Sequence, residues 1–117
     1  MILVIDTSES KTLKIGLGET QKINYFIRET KDQSSDLLCL INLLLEEQNA
    51  KLKDLKSIYV NLGPGSFTGI RAGVAVANTL AWSLNIPVFG FNKSLKKTDF
   101  KKNTTTKFQK IVLPYYP

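Results

Sequence analysis

The 117-residue chain contains no histidine, a single cysteine and a single tryptophan. Without histidine, a Ser-His-Asp triad and a histidine-ligated metal are excluded within it. One thiol allows no intrachain disulfide, so a reducing, cytoplasmic setting is expected. Cys39 falls in the leucine-rich stretch 36–45, which predicts a buried core thiol. No apolar run reaches the roughly 18–20 residues needed to span a bilayer. Met1-Ile2-Leu3-Val4-Ile5-Asp6 lacks a basic start and meets an aspartate at once, unlike a secretion signal. Two familiar loops are also missing. A P-loop needs Lys-Ser or Lys-Thr after its last glycine, but Ile70 and Arg71 follow Gly69. A nucleophile elbow needs glycine two before and two after the serine, but Pro64 and Thr68 flank Ser66.

Charge is the next restriction. The net +6 has an uneven source. Residues 1–92 carry nine basic and nine acidic side chains, so the whole excess lies in 93–117. There seven lysines face Asp99 alone, in a polar stretch without helical period. Such a stretch is a solvated arm or a contact for a polyanion such as RNA. The apolar fraction, 43%, is that of an ordinary globular chain, and the length suits one small domain.

What is present is a glycine motif in a telling context. Gly63-Pro64-Gly65-Ser66-Phe67-Thr68-Gly69-Ile70-Arg71 stands between a β-branched and aromatic stretch, 57–62, and a long apolar stretch, 72–84. That pattern predicts strand, turn and helix. Ser66 suits an N-cap, its hydroxyl within reach of the N–H of Thr68 or Gly69. Gly69 and Gly73 then lie inside the helix, where each costs about 1 kcal/mol relative to alanine. With Ala77 they share one face, and a stripe of small residues lets another backbone approach closely.

Along the rest of the chain, 2–6 reads as a strand closed by the turn-forming Asp6-Thr7-Ser8-Glu9-Ser10. Residues 11–17 alternate polar and apolar, and 21–28 follow as a third strand of a meander. Ser34 or Ser35 caps a helix to about Gln48 whose leucines and isoleucine cover well over half its circumference. Strand 57–62, helix 66–84 and strand 87–91 complete a βαβ unit. Both helices carry more apolar surface than one sheet covers. The excess, with the small-residue stripe, predicts a partner surface built from Leu37, Leu38, Ile41, Leu45, Gly69, Ile70, Gly73, Val74 and Ala77.

The opening Ile2-Leu3-Val4-Ile5-Asp6-Thr7-Ser8, followed by Gly63 to Arg71 about 55 residues later, resembles the TsaB (YeaZ) family. Gly73-Val74-Ala75 and Ile86-Pro87-Val88-Phe89-Gly90 continue the likeness, which covers roughly 1–94. The resemblance implies an α/β, actin-like (ASKHA) and ribonuclease-H-like lobe over 1–92, of order βββαβαβ. Residues 93–117 are left as a basic tail or the remnant of a second lobe. It also implies a non-catalytic scaffold and dimerisation subunit of the complex that forms N6-threonylcarbamoyladenosine in tRNA, next to the anticodon. In such a complex a TsaD-like paralogue, joined through the two helices, performs the chemistry, and a TsaE-like ATPase assists. The implied chain holds no cofactor and no metal, touches tRNA only indirectly, avoids membranes, and is either a homodimer or a monomer when alone. Two other functions compete with this one. An actin-like enzyme would use Asp6-Thr7-Ser8 as its phosphate or Mg²⁺ loop, and an RNA-binding module would work through the lysine tail. The sequence departs from the family where relatives often have a histidine before the first helix: it reads Asp32-Gln33-Ser34-Ser35.

Overall fold

The computed structural model describes residues 1–92. The basic stretch and the strand-like Ile111-Val112-Leu113 lie outside the described residues. Five strands form one sheet: β1 (Ile2–Asp6), β2 (Thr12–Glu19), β3 (Lys22–Glu29), β4 (Ser57–Asn61) and β5 (Val88–Phe91). Their spatial order is β3-β2-β1-β4-β5. The first three pair antiparallel as a meander, and β1–β4 and β4–β5 pair parallel. Parallel neighbours need a crossover, and the two helices supply it. Helix α1 (Gln33–Glu47) links β3 to β4, together with the single 3-10 turn Leu52–Asp54, and α2 (Phe67–Leu84) links β4 to β5. This is the βββαβαβ order expected above.

Alternation within the strands decides which face each side chain takes. Leu3 and Ile5 of β1, Leu13, Ile15 and Leu17 of β2, Ile58 and Val60 of β4 and Val88 of β5 share one core with both helices. Helix α1 inserts Leu37, Leu40, Ile41, Leu44 and Leu45 into that core. Helix α2 inserts Ile70, Val74, Ala77, Leu80 and Ala81. No helix among the described residues is long and apolar enough to cross a membrane.

Three local expectations need correction. Helix α1 is capped by Asp32 rather than by Ser34 or Ser35. Asp32 holds an extended backbone and its carboxylate accepts from the Ser35 N–H at 3.2 Å and the Ser35 hydroxyl at 2.8 Å. Ser35 is therefore a donor inside the first turn. These bonds hold the Asp32 carboxyl below its ordinary range. Cys39 is exposed, because the inward positions of α1 are 37, 40, 41, 44 and 45 and residue 39 lies on the opposite side of the helix.

The third correction concerns the partner surface. Of its residues, Leu37, Ile41, Leu45, Gly69, Ile70, Gly73, Val74 and Ala77 are buried within this chain. Only Leu38, 41% exposed, offers area to a partner. The apolar excess lies elsewhere on the helices: Leu43 on α1, and Phe67 and Trp82 on α2.

Candidate functional site

The loop after β1 and the glycine turn after β4 come together because those strands are parallel neighbours, so their C-terminal ends lie side by side. The sequence separates Asp6-Thr7-Ser8 from the glycine motif by more than fifty residues; the sheet joins them. The Ser66 N–H donates to the Ser8 carbonyl at 2.7 Å. The buried Thr7 hydroxyl donates to the Gly69 carbonyl at 2.5 Å. Ser66 caps α2 as expected, its hydroxyl accepting from the Gly69 N–H at 3.3 Å.

The glycine stripe has an internal purpose. A Cβ on Gly69 would collide with the Thr7 carbonyl oxygen, and one on Gly73 with the Thr7 hydroxyl. A Cβ on Gly65 would stand 2.6 Å from the Ser8 carbonyl oxygen. The backbone that approaches so closely is the chain's own β1–β2 loop. The cost of glycine in a helix is offset by seating α2 directly on that loop.

Asp6 is the polar centre of the arrangement. Its Oδ1 accepts from the Ser8 N–H at 3.0 Å, the Ser8 hydroxyl at 2.6 Å and the Asn61 amide at 3.2 Å. Asn61 in turn accepts from the Gly63 N–H at 2.9 Å. On the other side, Gln33 at the start of α1 is buried. Its amide nitrogen donates to the carbonyls of Thr12 at 2.7 Å, Glu9 at 3.0 Å and Thr7 at 3.4 Å. Asn61 and Gln33, which tie these bonds together, are absent from the sequence expectation. Asn61 carried one signal, a polar side chain at the end of an apolar strand. Gln33 carried none, since its partners are main-chain carbonyls.

The remaining motif residues point outward. Phe67, Thr68 and Arg71 are exposed, and the Arg71 guanidinium lies 5.4 Å from the centre of the Phe67 ring. Pro64, in a cis bond with Gly63, is exposed and helps to line an open cavity of about 490 Å³. Asp6, Ser8, Glu9, Thr12, Lys14, Ile27, Asn61 and Asn92 line the rest. Beside it, the Tyr25 phenol is pushed above its ordinary value of 10.0, first by burial and then by the negative charge of Asp6. The cavity walls hold two carboxylates, Asp6 and Glu9, against Lys14, so a bare phosphate would meet more repulsion than pairing. The Ser8 hydroxyl donates to the Asp6 carboxylate at 2.6 Å and the Thr7 hydroxyl to a main-chain carbonyl. Among the described residues no group of His, Cys, Asp and Glu is placed to hold a metal ion.

Known proteins share this fold. The family model described as "TsaD: tRNA N6-adenosine threonylcarbamoyltransferase" matches residues 29–96. The tRNA threonylcarbamoyladenosine biosynthesis protein TsaB of Bacillus subtilis is 43% identical over 89 residues, covering 74% of this chain and 38% of that protein. TsaB of Buchnera aphidicola subsp. Schizaphis graminum is 35% identical over 94 residues, covering 79% of this chain and 44% of that protein. The solved structure of YeaZ from Pseudomonas aeruginosa superposes with a TM-score of 0.71 at 27% identity, over 78% of this chain and 44% of that one. The chain thus spans less than half the length of these relatives. The mixed five-stranded sheet with its two helices is the actin-like, ribonuclease-H-like lobe of the TsaD type.

Proposed function

Because this chain belongs to the TsaB (YeaZ) family, we propose that it serves in the formation of N6-threonylcarbamoyladenosine in tRNA, next to the anticodon, as a non-catalytic scaffold subunit. The observation that carries this reading is the use made of the motif. The Thr7 hydroxyl and the Ser66 amide hold the β1–β2 loop against the start of α2, and the Asp6 carboxylate is engaged by Ser8 and Asn61. The outer side of α2 also presents large apolar side chains. Phe67, Arg71, Ala75 and Trp82 fall within an arc of about 80° on α2 at 100° per residue. Trp82 is 78% exposed and Phe67 56%. Leu38 and Leu43 stand on the outer side of α1, which packs beside α2. Large aromatic side chains of this kind are the usual anchors of a protein interface.

The partner is a TsaD-like paralogue, which holds the nucleotide and any metal and performs the transfer, with a TsaE-like ATPase acting on the pair. Contact with tRNA is indirect, through that assembly. The test is co-purification of the chain with the TsaD-like protein of the same organism. Trp82→Asp and Leu38→Asp are each expected to abolish capture, with thermal stability unchanged within about 0.5 kcal/mol because both sites are exposed. Full capture by both variants would move the interface off the helices.

The cavity favours a second reading, in which the lobe supplies half of a nucleotide site through Asp6, Ser8 and Asn61. Calorimetric titration with Mg²⁺-ATP separates the two. The scaffold reading expects no saturable heat from the isolated chain. Binding that is lost in Asp6→Ala with the fold retained would favour the second.

A further inference from the structure

The sheet ends at β3 with one side of that strand unused. The order β3-β2-β1-β4-β5 places it at an edge, and among the described residues only β2 pairs with it. Natural edge strands are blunted by shortness, proline or a bulge. Strand β3 has eight residues and no proline, and its register with β2 runs unbroken from Lys22 to Glu29. Its charges stand at the two ends, and 23–27 carries none. Odd positions share the sheet face opposite the helices: Tyr25 aligns through Gly16 with Val4, while Phe26 aligns through Ile15 with the core residue Ile5. On that face Ile27 is 70% exposed and Tyr25 43%. A Cβ on Gly16 would strike the side chains of Ile23 and Tyr25, so the glycine lets both lie across β2. The main chain gives the direction of the free groups. The Thr30 N–H donates inward to the Lys11 carbonyl at 2.9 Å. Bonding alternates along an antiparallel strand, so the N–H and C=O groups of Ile23, Tyr25, Ile27 and Glu29 are aimed out of the sheet.

We propose that this edge pairs antiparallel with β3 of a second copy, about a two-fold axis through Phe26, joining two sheets into one. The strand's own sequence selects both partner and register. An outward-bonding residue must meet another, so only registers that set odd positions against odd qualify. With the axis on Phe26, Ile23 meets Glu29 and Tyr25 meets Ile27, each twice by symmetry, and every outward group of the strand is used. An axis on Tyr25 leaves Glu29 outside the strand pairing and sets Lys22 against Arg28, like charges directly opposite. An axis on Ile27 leaves Ile23 outside. About Phe26, by contrast, Arg28 faces Asn24, and Lys22 faces Thr30, whose hydroxyl donates to the Asp36 carboxylate. The ammonium of one copy thus comes beside a negative charge on the other. Tyr25 against Ile27 is an aromatic and β-branched pair of the kind that stabilises neighbouring strands, and it covers the two exposed apolar side chains of this one. The helices leave room. Helix α1 packs on β2 and α2, and the two β2 strands would stand about 14 Å apart at ~4.8 Å per neighbour. Packed helices need only about 8–10 Å. Because the same patch meets itself, the pairing closes at two copies. Helix α2 packs on β4, β1 and β5, away from this edge, so the pairing does not rest on the surface of Phe67 and Trp82.

The experiment is sedimentation of the full chain over a concentration series, which is expected to show a reversible dimer. Asn24→Lys sets like charges against Arg28 twice and should weaken the dimer at least several-fold. Asn24→Glu sets opposite charges there and should tighten it. Asn24 is exposed, so both variants are expected to melt with the parent. A chain that stays monomeric up to about 1 mM, or equal dissociation constants for the two variants, would overturn the proposal. So would a dimer abolished by Trp82→Asp, which would place the contact on the helices. Cross-linking reads the register separately. In a Cys39→Ser background, Asn24→Cys mixed with Arg28→Cys should oxidise to a covalent dimer several times faster than either variant alone, because position 24 stands opposite 28 and not opposite itself. Equal rates for the mixture and the single variants would refute the axis through Phe26.

Discussion

Replacing Gly69 by alanine sets two local effects against each other, and the structure decides the sign. Helix propensity alone favours the substitution by about 1 kcal/mol, since glycine is the poorer helix former. Against this, the new methyl group meets the Thr7 carbonyl oxygen and would stand 2.8 Å from Gln33 Oε1. The first obstacle is backbone, held in place by Ser66 N–H bonding at the neighbouring Ser8 carbonyl, so it has little freedom to yield. Overpacking of this kind costs about 1–3 kcal/mol. The shift that relieves it stretches the Thr7–Gly69 bond, worth a further ~0.5–1.5 kcal/mol. The net expectation is a loss of about 0.5–3.5 kcal/mol, or roughly 2–28 °C in Tm at 4–8 °C per kcal/mol for a domain of this size. Thermal and urea unfolding of the full chain by circular dichroism measure it. Ala75→Gly, at an exposed position of the same helix, provides the reference and should lose about 1 kcal/mol from propensity alone. Gly69→Ala as stable as the parent or more so, with Ala75→Gly behaving as expected, would show that the close approach of α2 to the β1–β2 loop has no energetic weight.

Gln33→Ala removes an amide that serves three carbonyls, that of the buried Thr7 among them, and should lower stability by about 1–3 kcal/mol. An unchanged urea midpoint would contradict that. The Tyr25 phenol has its pKa raised by burial and by Asp6, so its contribution is complete below pH 10.0 and is lost as pH rises through the higher folded value. The ultraviolet titration difference between the chain and Tyr25→Phe should therefore centre above 10.0 and move down in Asp6→Asn; a midpoint at the ordinary value would sink the assignment. Asp32 has its carboxyl pKa lowered by the Ser35 hydroxyl and N–H. Its contribution is present above the ordinary value of 3.8 and is lost as pH falls through the folded one. Asp32→Asn keeps an acceptor at the cap and should flatten that part of the acid unfolding curve, whereas an identical curve would remove Asp32 from it.

The elements of the fold were legible because each rests on a local period. Leu13, Ile15 and Leu17 alternate, and the stretch through Leu37, Ile41 and Leu45 steps by four, whatever lies on the other side of the contact. The candidate site depends on what lies there. Gly69 and Gly73 announce that something comes close, but small residues do not say whose atoms arrive, and Thr7, 62 residues away, fills the space. Gln33 was invisible because its partners are backbone carbonyls, which every residue carries. Cys39 was misplaced for a related reason: in a helix apolar over half its circumference, the inward arc is fixed by the sheet beneath and not by the helix itself.

That distinction bears on how the helices should be read as a binding surface. An apolar wheel shows how much surface must be covered, and the fold then takes its share. Here the share includes Leu37, Ile41, Leu45, Ile70, Val74 and Ala77, all within the core. Trp82 and Phe67 are left over, and the removal of Trp82 costs the fold little because most of its surface is exposed. Arg71 stacks on Phe67 and so holds that ring against α2 instead of letting it sweep freely through solvent. A partner that meets an ordered ring loses less side-chain entropy on binding than one that must order it. Arg71→Ala should accordingly weaken capture of the TsaD-like protein less than Trp82→Asp does, while leaving thermal stability unchanged. A loss equal to that of Trp82→Asp would make Arg71 a direct contact and not the support of one.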